Sequence, residues 1–238
     1  MVILAYPGEV SRINVIYSYL GKLALSGDTE AVKWLYGNVW KGSPPLINTV
    51  SLLQECLTAS EIQKDMRKYS SEFMYYWGML NLGEVSNLIF RDLGIAEICF
   101  KSIVKVFPRA EARLAYIKLL GSNEPAKSES NIIRVDILRR WAVKRDLFSR
   151  IVLAKIMFYQ FLGEDLEDNS ELPIRIHRFL EQPCRMGHPV AIRFWNEILD
   201  YIEPPNAQDM RISEAKMDED VLYDFIPSAN MPIRLQIP

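Results

Sequence analysis

A helix signature returns about every 40 residues along this chain, and that period constrains its fold more than any other feature. The segments EAVKWLYGNVWKG, EFMYYWGMLNLG, AEARLAYIKLLG and VLAKIMFYQFLG are apolar and aromatic, and end at Gly42, Gly83, Gly121 and Gly163. A further segment of this type, HPVAIRFWNEILDYIE, begins near His188 and runs toward Pro204. Glycine just past a helix end takes the left-handed conformation in which the last carbonyls find donors. Each of these glycines is therefore expected to close a helix. Inside the segments apolar residues recur at helical spacing, as at Ala112, Ala115, Ile117 and Leu120.

A second helix fits between successive glycine-ended ones: PLINTVSLLQECL, DLGIAEICFKSIVKVF and LPIRIHRFLEQPCRMG. Each presents an apolar face, for example Ile95, Cys99, Ile103 and Phe107 at i+4 steps. One helix pair cannot bury both of its faces, so each pair must stack on the next. The turns leading into the next pair also recur. Asp28 is placed to cap a helix with Ala31 three residues on, and Pro108 and Pro189 suit a first helical turn, where no N–H is needed. No segment alternates with period two, so no sheet is expected.

These residues resemble Sel1-like repeats, relatives of the tetratricopeptide repeat, over roughly residues 10–204. GDTEA at Gly27 to Ala31 and GHPVA at Gly187 to Ala191 look like that family's inter-repeat turn, and Ala96 with Phe100 in AEICF resembles its second-helix signature. The expected fold class is all-α: a right-handed α-solenoid of stacked helix-turn-helix repeats over residues 1–204, followed by an acidic, proline-containing tail over 205–238. The resemblance implies an adaptor or scaffold for other proteins, with no shared catalytic residue.

Charge and composition narrow the function classes. The net charge is −2 and the pI about 5.8, whereas proteins that grip nucleic acid backbone are usually basic. No apolar run is long enough to span a membrane. The N-terminal stretch has no basic region ahead of its apolar residues, and reads as the start of the fold and not as a secretion signal. Cys56, Cys99 and Cys184 are odd in number and widely spaced, which points to reduced thiols in a cytoplasmic setting.

Candidate chemistry is sparse. Cys184 and His188 in CRMGH lack the two further ligands that zinc would need. Cys184 and His177 are seven residues apart, but Pro183 is expected to disrupt the helix between them. No GxSxG, Walker or GxGxxG motif occurs. The acidic stretch Glu164, Asp165, Glu167, Asp168 and Glu171 lacks calcium-loop spacing and reads as a solvated loop. No catalytic, metal or cofactor residue is assigned.

The remaining signals concern partners. Arg134, Arg139, Arg140, Lys144, Arg145 and Arg150 cluster around Trp141. They read as the polar face of a helix whose Ile137, Leu138, Trp141 and Phe148 enter the core, as a grip on an acidic protein, or as a nucleic-acid strip over Arg134–Arg150. Aromatics are frequent, and one of Tyr75 and Tyr76 is expected to leave the core for a concave face. The residues expected to hold a partner protein or peptide are Trp40, Tyr76 and Tyr159, with Arg140 and Arg145 as polar contacts. In the tail, Leu222, Tyr223, Phe225 and Ile226 would be costly to leave in water, so it either caps the last helix or docks on a partner or a second copy.

Overall fold

A computed structural model describes residues 7–86, 88–124, 128–163, 172–202, 207–213, 216–217 and 221. The described residues are helical and contain no strand. They divide into two compact units, at Ala110 and Glu111.

The first unit holds α1 (Pro7–Leu25), α2 (Thr29–Val39), α3 (Pro44–Cys56), α4 (Ala59–Lys64), a 3-10 turn (Met66–Lys68), α5 (Ser71–Leu82) and α6 (Leu93–Ile103). Its centre is α5, packed against both α2 and α6. Every residue from Phe73 to Leu82 is buried, as expected for a helix apolar on all sides. Tyr75 and Tyr76 are therefore both core residues. Tyr75 meets Phe107 edge-on at 4.8 Å, and Tyr76 lies 5.5 Å from Tyr36. Helices α5 and α6 approach closely at Gly78, where a Cβ would stand 3.0 Å from the Phe100 ring. Among the buried polar groups, the Gln54 amide nitrogen donates to Asn81 at 3.1 Å and to the Phe90 carbonyl at 2.8 Å. Helix α4 and the 3-10 turn, short and mostly polar, were not expected.

The second unit holds α7 (Ala110–Leu120), α8 (Glu129–Val143), α9 (Leu147–Gly163), α10 (Leu172–Arg185), α11 (Pro189–Ile202) and the short α12 (Ala207–Met210). Here α9 packs against α8, α10 and α11. Phe158, Leu180, Ile192 and Trp195 belong to its core cluster. The described part of the tail packs on α11. The Trp195 indole donates to the Met210 carbonyl at 3.1 Å, and Asn196 exchanges two hydrogen bonds with the Ile212 backbone. The rest of the tail, including Leu222, Tyr223, Phe225 and Ile226, lies outside the described residues, as does the acidic stretch Glu164–Glu171.

One turn occurs in three copies. At Gly27 (φ +93°), Arg145 (φ +66°) and Gly187 (φ +79°) the backbone is left-handed. Each of these N–H groups bonds the carbonyl three residues back: Ala24, Ala142 and Cys184. The next residue's N–H reaches five back, to Leu23, Trp141 and Pro183. These paired bonds satisfy the exposed carbonyls of a helix end. That next residue, Asp28, Asp146 or His188, then caps the following helix by accepting from the N–H of Ala31, Ser149 or Ala191.

Two expectations need correction. Pro183 does not end its helix, because α10 runs through it to Arg185. It stands in the last turn, where its carbonyl accepts the His188 N–H at 2.9 Å and closes the turn. Gly121 is not left-handed; its N–H bonds the Ile117 carbonyl in ordinary helical fashion. Gly83 does take the left-handed cap position at φ +71°.

Candidate functional site

The second unit carries an open groove of about 720 Å³, formed by α8, α9 and α10. One face of each helix supplies it. From α8 come Ile132, Val135, Arg139, Ala142 and Val143, at spacings that keep them on one stripe. From α9 come Arg150, Leu153, Ile156 and Met157, and from α10 come Arg175, Arg178 and Phe179. Helix α8 thus has two apolar stripes. Leu138 is fully buried, while Val143 is 81% exposed on the groove side.

The groove is apolar with a cationic border. Its polar lining side chains are all arginines, and no carboxylate lines it among the described residues. Arg139 is 2.9 Å from Asp136 on its own helix. The Arg150 Nε donates to the Ala142 carbonyl at 3.1 Å. Burial, and then the neighbouring Arg145, lower the Arg150 guanidinium from its ordinary value, and Glu181 opposes them. Arg175 and Arg178 are exposed and make no ion pair among the described residues. Arginines held beside aliphatic side chains are suited to carboxylate or phosphate oxygens.

The predicted Arg134–Arg150 strip does not act as one surface. Arg139 and Arg150 line the groove. Arg134 instead donates to Asn131 and to the Lys118 carbonyl. Arg140 pairs with Glu111 on α7 at 3.2 Å, and the Trp141 indole donates to the other oxygen of that carboxylate at 3.0 Å. Lys144 sits over the Trp141 ring at 4.5 Å. Arg145 occupies the left-handed turn. Of the residues expected in the core, Leu138 and Phe148 are buried, while Ile137 and Trp141 are half-buried.

None of the five residues expected to hold a partner lines the groove. Tyr76 is 1% exposed and belongs to the α5 core, so it presents nothing to a partner. Trp40 is the half-buried residue that ends α2, with the Lys41 ammonium 5.9 Å from its ring. Tyr159 is 56% exposed on α9, beside Phe158 and Phe194. Arg140 and Arg145 serve the contact and the turn just described. Sequence reading missed Arg175, Arg178 and Phe179. Their i, i+3, i+4 spacing was available as a signal, but nothing in the sequence places them opposite α8.

No family model matches the chain, and neither a curated protein nor a solved structure matches it.

His188 is a buried helix cap whose Nδ1 accepts the Ala191 N–H, and burial holds its imidazole down at about 3. Burial pushes the Cys184 thiol up to about 12, so it carries no thiolate near neutral pH. His177 packs its exposed ring against Trp195 at 5.0 Å. Among the described residues no group of three His, Cys, Asp or Glu side chains is placed to hold a metal ion. No helix among them is long and apolar enough to cross a membrane.

Proposed function

We propose that this chain is a non-catalytic interaction scaffold, a right-handed α-solenoid of irregular Sel1-like repeats that holds a partner protein in the α8–α9–α10 groove. The observation that carries this reading is the groove itself: an aliphatic floor bordered by Arg139, Arg150, Arg175 and Arg178. Surfaces of this composition recognise protein segments by apolar anchoring plus charge. The stacked-repeat arrangement is supported by the three copies of one capped turn. It is also supported by packing that follows chain order, α8 with α9, α9 with α10 and α10 with α11. The candidate partner surface moves accordingly, from Trp40, Tyr159, Arg140 and Arg145 to the groove.

The test is site-specific photo-crosslinking of the full chain in its native host. A crosslinker at Val143, on the groove, should recover one protein reproducibly, and a crosslinker at Tyr19 on α1 should not. Equal recovery from both positions, or none from Val143, would remove this reading. The nucleic-acid alternative draws on the four arginines alone. Against it, Phe179 is the one aromatic among the groove residues, and single strands bind mainly by stacking on aromatic platforms.

A further inference from the structure

The groove's chemistry restricts what can lie in it. We infer, building on the scaffold reading, that its occupant is an acidic amphipathic helix of the partner protein, with aliphatic side chains on the floor and carboxylates against the arginines. The first step is charge. Four guanidinium groups border the groove, and among the described residues the only acid bonded to any of them is Asp136 on Arg139. Glu181 on α10 also acts on Arg150, but its ion pair is with Arg185. Arg175 and Arg178 are left as donors for an incoming acid.

The second step is backbone satisfaction. Every polar lining side chain is an arginine, which donates and cannot accept. An extended peptide lying on Leu153, Ile156 and Met157 would bury N–H groups with no side-chain acceptor within the groove, and each such orphan is costly. No strand is present among the described residues to offer a sheet edge. A helix brings its backbone already paired, and presents an apolar stripe at i, i+3, i+4 and i+7. The third step is the floor, which is aliphatic apart from Phe179 and so fits Leu, Ile or Met anchors better than stacked bases.

Fluorescence anisotropy on the full chain tests this with labelled synthetic probes. One is a helix-forming peptide with a leucine stripe at i, i+3, i+4 and i+7 and glutamates on its flanks. The others are a scramble of the same composition, the same peptide with lysine for glutamate, and a short single-stranded RNA. The acidic helix should bind best, and more weakly as salt rises. Arg175→Glu with Arg178→Glu should weaken it about tenfold or more, and Val143→Asp comparably. Arg185→Glu, outside the groove, should leave it unchanged. All of these positions are exposed, so the variants should keep the wild-type helical circular dichroism. Equal binding by the scramble or the lysine peptide, tighter binding of RNA, or wild-type affinity in the double variant would overturn the inference. Tighter binding by a peptide of the chain's own tail, MDEDVLYDF, would overturn it in favour of self-occupancy. If Val143 still crosslinks one protein while no acidic helix binds, the scaffold reading stands and only the occupant's chemistry is wrong.

Discussion

Arg113 and Asp146 meet as a fully buried ion pair, with one guanidinium nitrogen 2.8 and 2.9 Å from the two carboxylate oxygens. The pair ties α7 to the start of α9, because Asp146 is also the cap that accepts the Ser149 N–H and hydroxyl. The guanidinium lies over the Phe148 ring at 4.5 Å. Removing one partner of such a pair strands a buried charge and costs about 3–5 kcal/mol. Arg113→Met should therefore lower the unfolding free energy of the second unit by that order. The double variant Arg113→Met with Asp146→Asn should lose less than the sum of the two single losses. Urea unfolding followed by circular dichroism measures both; strict additivity would show that the pair is not energetically coupled.

The three-copy turn makes a prediction about backbone. A non-glycine residue in the left-handed region costs roughly 1–2 kcal/mol, and glycine there recovers part of this after its larger unfolded-state entropy is counted. Arg145→Gly should stabilise the chain by about 0.5–1 kcal/mol, seen as a rise of a few degrees in Tm. Gly27→Ala, at φ +93°, should do the opposite by about 1 kcal/mol. If Arg145→Gly lowered Tm, the side chain would be contributing contacts that outweigh the strain.

That turn also shows how much of the fold could be read beforehand. GDTEA and GHPVA were legible because Gly27 with Asp28, and Gly187 with Pro189, mark a helix end and the next start by residue type. The copy at Arg145 was illegible: its backbone does the same work, but arginine carries no sign of a left-handed conformation. Helix α5 misled for a related reason. Periodicity assigns a face, and a helix buried from Phe73 to Leu82 on every side has none to assign. The groove was half legible. Arg139 and Arg150 belong to the strip seen in the sequence, but Arg175 and Arg178 join them through α9 and α10 packing, which no local pattern encodes.

The two tyrosines once expected to share a role should separate in a truncation experiment. Tyr76 packs against Tyr36 and Tyr75 in the first unit's core. Tyr76→Ala should cost about 3–5 kcal/mol, as buried aromatic truncations do. Tyr159 is exposed, and Tyr159→Ala should change stability by about 0.5 kcal/mol or less. Thermal unfolding of the two variants side by side gives the contrast. Equal losses would contradict the burial of Tyr76.

Thiol reactivity offers a second check on burial. Cys56 is exposed, whereas Cys99 and Cys184 are buried and their thiols are pushed up by loss of hydration. Under native conditions a thiol-specific reagent should modify one cysteine rapidly, and Cys56→Ser should abolish that phase. The other two should react only as urea unfolds the chain. A fast phase that survived Cys56→Ser would mean that one of the buried thiols opens readily to solvent.

His188 sets a pH dependence whose direction follows from its burial. In the folded chain, desolvation holds the imidazole down at about 3, with Lys155 lowering it further and Asp146 opposing. In the unfolded chain an ordinary histidine titrates near 6.5. Between these values the unfolded state binds a proton that the folded state refuses, so stability present above about 6.5 is lost as pH falls toward about 3. The slope attributable to this group is about 1.4 kcal/mol per pH unit once the unfolded imidazole is charged. His188→Asn keeps a side-chain acceptor for the Ala191 N–H while removing the titration. Comparing urea unfolding at pH 7.5 and pH 5, the wild-type chain should lose more stability than the variant by about 1–2 kcal/mol. Carboxylates elsewhere contribute equally to both chains and cancel in the difference. Parallel losses would show that His188 is protonated in the folded state at pH 5, and that its ring is not sealed from water as the packing around α11 requires.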